Sequence, residues 1–130
     1  MYWQAFKPER SVSVVAENLG GRIAPPGRFP ELSPLLARIK EAYDPLDVIL
    51  YGRRARGAAT PQSDWDLKVI VSDDAPERLF APMFGWRVQE GSGVYADVSC
   101  IRLSDFIADL EITNSAASHI ADDGVVLNVR

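Results

Sequence analysis

The feature that most constrains this chain is a pair of apolar segments joined by a glycine-flanked basic turn and two spaced acids. Residues 47–51, Asp-Val-Ile-Leu-Tyr, read as a buried strand, and residues 67–71, Leu-Lys-Val-Ile-Val, read as another. Between them run Gly52-Arg-Arg-Ala-Arg-Gly57 and then Ser63-Asp64-Trp65-Asp66. A strand that ends on glycine and turns into a helix presents unpaired N–H groups to an anion, and glycine lets the backbone approach that anion closely. Side chains alternate along a strand, so Asp64, Asp66 and Lys68 share a face, with the two carboxylates about 6–7 Å apart. Trp65, Leu67, Val69 and Val71 take the other face. Two hard anions at one strand end suit a divalent cation such as Mg²⁺.

A third acid has a place beside them. After the turn Gly91-Ser-Gly93, Val94, Ala96, Val98 and Cys100 alternate with Tyr95, Asp97 and Ser99. If this strand lies next to the Asp64/Asp66 strand, Asp97 joins the other carboxylates. Three acids can hold two ions about 3.5–4 Å apart, a separation that stabilises both attacking and leaving oxygens in phosphoryl displacement. Gly52, Arg53, Arg56, Ser63 and Lys68 are the expected nucleotide-binding positions. Consecutive arginines diverge around a helix, so one or two of Arg53, Arg54 and Arg56 face solvent. Lys68 has two open readings, phosphate binding or pairing with its neighbouring acids. A phosphate cradle and a metal site this close together point to chemistry on a nucleoside triphosphate.

These residues resemble the DNA polymerase β-like nucleotidyltransferase superfamily and, within it, the minimal nucleotidyltransferases. The family pattern is Gly-Ser-x-Ala-x-Gly, then Ser-Asp-x-Asp-Leu, then Asp on a later strand. Here the counterparts are Gly52-Arg53-Arg54-Ala55-Arg56-Gly57, Ser63-Asp64-Trp65-Asp66-Leu67 and Asp97, with the similarity running over residues 31–127. The resemblance implies that Asp64, Asp66 and Asp97 are catalytic and bind Mg²⁺, two ions in the full complex, with Mn²⁺ an alternative. It also implies a hydroxyl acceptor and ATP or another nucleoside triphosphate as donor. Minimal members often work beside a helical HEPN-domain toxin, transferring AMP to one of its tyrosines, which makes an antitoxin role one expectation. The departure is Arg53, where the family has Ser. Arg53 is the main support for the competing expectation, a non-catalytic module that neutralises a partner protein. Transfer to a small molecule of the aminoglycoside type is a third reading.

Charge and composition narrow the substrates. The chain has 130 residues, 47% hydrophobic and 25% charged, enough for one domain with a core. Its net charge of −4 argues against a long nucleic acid as partner, because such proteins carry a broad basic surface. There is no apolar run of membrane-spanning length and no signal-like start, and Cys100 is the only cysteine, so a cytoplasmic protein without membrane association is expected. A homo-oligomer is possible.

The expected class is α/β, an α+β two-layer nucleotidyltransferase fold: a mixed β-sheet with helices packed on one face and the acids on the other. Residues 1–30 form an N-terminal extension packed on or beside the domain, and residues 31–130 form the domain. Leu32, Leu35, Leu36, Ile39 and Tyr43 place a helix over 31–43, with Ser33 as cap, Pro34 in the first turn and Asp44-Pro45 as its stop. Further expectations are a helix over 75–83, a short strand over 86–89, a strand over 94–101 and one final helix from a Ser104 cap towards Asp122. The stretch from Ser11 to Leu19 reads as helix or strand. His119 reads as a surface residue and Cys100 as core; Trp65 and Trp86 read as core, with stacking on a base the alternative for an aromatic near the site, and Tyr2, Trp3 and Phe6 as packing for the N-terminal segment or a partner surface.

Overall fold

The computed structural model describes residues 13–127. A four-stranded sheet is built from β1 (Asp47–Tyr51), β2 (Trp65–Val71), β3 (Ala96–Arg102) and β4 (Val125–Leu127), in the order β3-β2-β1-β4. β1 runs antiparallel to both β2 and β4, while β2 and β3 are parallel. Helices fill the connections: α1 (Val14–Asn18), α2 (Ser33–Tyr43), α3 (Arg53–Arg56), α4 (Phe84–Gln89), α5 (Leu103–Leu110) and α6 (Ala116–Asp123). The mixed α/β class expected from the sequence is the class observed.

Alternation divides the core. Val48, Leu50, Trp65, Leu67, Val69 and Val71 point to one face, where Leu35, Ile39 and Tyr43 of α2 cover them. Ile49, Ile70 and Val126 point to the other, against Val15 of α1, Leu19 just after it, Phe106 of α5 and Ile120 of α6. The expected helical layer is therefore one of two. The acid-bearing face carries apolar residues further along the same strands, and these need cover as much as those on the first face.

Several local expectations are corrected. The segment over 86–89 is not a strand but the end of α4, because Gly85 lets that helix back directly onto the Val98 carbonyl of β3. There α4 shields the sheet edge, and the Gln89 side-chain carbonyl accepts from the outward-pointing Ala96 N–H at 3.3 Å. Trp86 consequently faces solvent, 50% exposed, and is not a core residue. The helix over 75–83 shrinks to a 3-10 turn, Glu77–Phe80, between Pro76 and Pro82. Ser33 is the first residue of α2, preceded by a 3-10 turn Pro30–Leu32, and its side chain does not cap the helix; Asp44, at φ 48°, does end that helix. The single final helix is two: α5 starts at Leu103 with no side-chain cap, the chain turns at Asn114 (φ 63°), and the Ser115 hydroxyl caps α6 by accepting from Ser118 N–H. The stretch from Ser11 to Leu19 resolves as a helix within the described residues. Tyr2, Trp3 and Phe6 lie outside them.

Candidate functional site

Strand register brings two of the acids together. Asp66 stands directly opposite Asp97 on the parallel neighbour β3 and opposite Tyr51 on β1. Asp64 sits in the loop just ahead of β2, exposed to solvent. Burial, then the negative charges of Asp97 and Asp64, push the Asp66 carboxyl above its ordinary range, and Arg56 opposes them. The neighbouring Tyr51 phenol is pushed up to about 12, by burial first and then by Asp66 and Asp97, so it stays protonated near neutral pH.

Gly52 turns the chain out of β1 at φ 77° and ψ −157°, a region reserved for glycine. A side chain there would collide with the Asp66 carboxylate. The arginines that follow diverge, as helical geometry requires. Arg53 is exposed, and its side chain makes no hydrogen bond or ion pair among the described residues. Arg54 is a brace: its guanidinium stacks 4.3 Å over the Trp65 ring and donates to the Ser63 carbonyl at 2.7 and 3.2 Å. Arg56 pairs with Asp123 of α6 at 2.7 Å. The Ser63 hydroxyl accepts from Thr60 N–H at 2.9 Å, stapling the same loop. Arg54 and Ser63 thus fix the approach to Asp64 from behind.

A cavity of about 310 Å³ opens beside the acids, between the sheet and α6, lined by Tyr51, Gly52, Arg56, Lys68, His119 and Asp123 among others. Among the described residues, the Tyr51 hydroxyl, the Lys68 ammonium and the His119 ring have no hydrogen-bond partner. Burial lowers the Lys68 pKa, while Asp97, Cys100 and Asp109 act against that shift. A pocket lined by unpartnered donors and a second cation suits phosphate oxygens. Tyr51 and His119 were not among the expected site residues. Their signals lie in the sequence: Tyr51 shares strand phase with Asp47 and Ile49, and Ala116, His119, Ile120 and Asp123 form one helical stripe.

Among the described residues, no three His, Cys, Asp or Glu side chains are gathered into a ready metal site. Asp66 and Asp97 stand in register, with Asp64 in the loop ahead of them, and the three carboxylates do not form such a group. Like charges repel, so convergence requires a cation between them. The all-carboxylate donor set fits a hard divalent ion such as Mg²⁺.

A family model described as a nucleotidyltransferase domain matches residues 32–125. The chain belongs to the nucleotidyltransferase domain family. That match spans both spaced motifs and every strand of the sheet except the last two residues of β4. A search of the curated proteins finds no match. Within the nucleotidyltransferase domain, the described residues include no helix long and apolar enough to cross a membrane.

Proposed function

We propose that this domain is a metal-dependent nucleotidyltransferase that moves a nucleoside monophosphate, AMP from ATP, onto a hydroxyl acceptor. The observation carrying this reading is the pairing of Asp66 with Asp97 beside the glycine-only turn at Gly52, next to a cavity of unpartnered donors. The phosphates lie against the N–H groups after Gly52, with Arg56 and Lys68 at their side. Asp64, Asp66 and Asp97 would hold Mg²⁺ or Mn²⁺, which would supply charge neutralisation at the phosphate oxygens. Asp97 orients the acceptor hydroxyl and takes its proton as the oxygen attacks the α-phosphorus. The bond to the β-phosphate oxygen breaks in line, and pyrophosphate leaves with the electron pair. Positioning and preorganised charge account for most of the rate.

The exposure of Arg53 supports nucleotide binding, because its side chain does not line the cavity. This weakens the reading of a non-catalytic module, whose main support was the loss of Ser. For the acceptor we favour a tyrosine on a HEPN-type partner, an antitoxin role that rests on the resemblance of the motifs to minimal nucleotidyltransferases. ATP as donor and a free Cys100 thiol fit a cytoplasmic setting. Residues 1–30 are an extension packed on a domain over 31–130, a reading supported, for the part of the extension within the described residues, by the burial of Val15, Ala16 and Leu19 against the sheet.

Calorimetric titration of ATP with and without Mg²⁺, repeated on Asp64→Asn, tests the site. Metal-dependent binding that the variant loses is the expected result; no binding by the parent protein would overturn the reading. Mass spectrometry of a co-expressed HEPN-type protein, looking for added AMP, tests the acceptor.

A further inference from the structure

A second cavity, of about 540 Å³, is not the one beside the carboxylates. It lies behind them, across the ends of β2 and β3. Ser63 and Trp65 line it while Asp64 falls between them, and Tyr95 lines it two residues before Asp97. One ridge of backbone, where Trp65 N–H donates to the Tyr95 carbonyl at 3.0 Å, separates the cavity from the acids.

Its walls are planar. Tyr95 is 82% exposed, which is unusual for a large aromatic residue. The Arg54 guanidinium, also in the lining, sits 4.3 Å over the ring of Trp65, which is only 4% exposed. Tyrosine rings and guanidinium planes are the surfaces on which unpaired bases stack. Arg54 is pre-ordered by its bonds to the Ser63 carbonyl, so ordering it on binding costs little. Gln62 and Glu31 add polar groups at the margin to meet a base edge.

We infer that this cavity is the nucleobase slot of the nucleotide site, with Tyr95 and the Trp65-backed Arg54 as its stacking faces. The inference rests on the nucleotide reading above. The phosphates take the donor-lined cavity on one side of the carboxylates, and the base reaches over the ridge to the aromatic cavity on the other. Tyr95 is then an affinity-determining residue that touches the base and no phosphate.

The test compares ATP with inorganic tripolyphosphate, both with Mg²⁺, on the parent protein, Tyr95→Ala and Tyr95→Phe. The Tyr95 side chain is exposed and its bond to Trp65 is made by backbone, so the alanine variant keeps its fold. The parent should bind ATP more tightly than tripolyphosphate. Y95A should weaken ATP about tenfold, leave tripolyphosphate unchanged, and be rescued by Y95F. Equal weakening of both ligands, or of neither, overturns the slot. If the parent binds both equally, the base contributes nothing and the inference fails while the phosphate site stands. If the parent binds neither, the nucleotide reading falls and the slot with it.

Discussion

A β-carbon on Gly52 would be driven into Asp66, overlapping its Oδ2 and lying 3.3 Å from its Cγ. The turn after β1 and the central carboxylate of β2 are therefore fitted to one another: the glycine gives backbone freedom and also the space in which Asp66 stands.

Gly52→Ala should consequently damage two properties together. The backbone strain at φ 77° costs about 1–3 kcal/mol, and the new methyl displaces the carboxylate. The expected outcome is a lower urea midpoint together with loss of Mg²⁺-dependent ATP binding. Retention of full binding in a destabilised variant would show that Gly52 serves the turn alone.

Arg54 predicts a different pattern, because it acts on the loop and not on the acids. Arg54→Ala removes a stacking cation and two bonds to the Ser63 carbonyl, a loss of about 2 kcal/mol. Arg54→Lys should recover less than half of this, since an ammonium lacks the planar fork. Limited proteolysis should cut residues 57–64 faster in both variants. Unchanged cutting would mean that the Thr60–Ser63 bonds hold the loop unaided.

How much of this was legible in the sequence depended on whether neighbours or distant residues decide each element. The alternation of Asp66, Lys68 and Ile70 against Leu67, Val69 and Val71 is a local property, and β2 followed from it. The acid face followed too, because Asp97 shares its phase with Ser99 on a strand that turns out to be adjacent. The segment at 86–89 reads as a strand because its short pattern is ambiguous, and the deciding fact is the close approach of Gly85 to Val98, distant in sequence. The break between α5 and α6 was readable: Asn114 tolerates a left-handed conformation and Ser115 is a good cap. The brace role of Arg54 was not, because it needs the Trp65 ring in place beneath it.

Asp66 should also leave a mark on stability. Folding raises its pKa, through burial first and then Asp97 and Asp64, so between the unfolded and folded values the native chain binds more protons. Stability contributed by this group is present at low pH and is lost as pH rises through the folded value. At neutral pH the charged side chain is a net cost, softened by its partial exposure. Asp66→Asn should therefore melt about 1–3 °C higher than the parent near pH 7, and the gap should close on acidification. Added Mg²⁺ should stabilise the parent more than the variant. A variant that melts lower at pH 7 would show that Asp66 is held by favourable contacts and not repelled by its neighbours.

Arg56 and Asp123 make the last prediction, in which one ion pair gives effects of opposite sign. Their 2.7 Å contact ties α3 to α6 at the rim of the donor-lined cavity, with the arginine half exposed. An exposed pair of this kind adds little to folding, about 0.2–1 kcal/mol, so substitution of either partner leaves the fold intact. Its effect on an anion in the cavity is larger, because Arg56 attracts the anion and Asp123 repels it. Arg56→Ala should weaken tripolyphosphate binding about tenfold at low ionic strength, whereas Asp123→Asn should tighten it about two- to fivefold by freeing the guanidinium. Both effects should shrink as salt is raised, since the pair lies within reach of screening ions. Weakening by both substitutions would mean that Asp123 holds Arg56 in its binding position, and that the pair acts as a single structural unit.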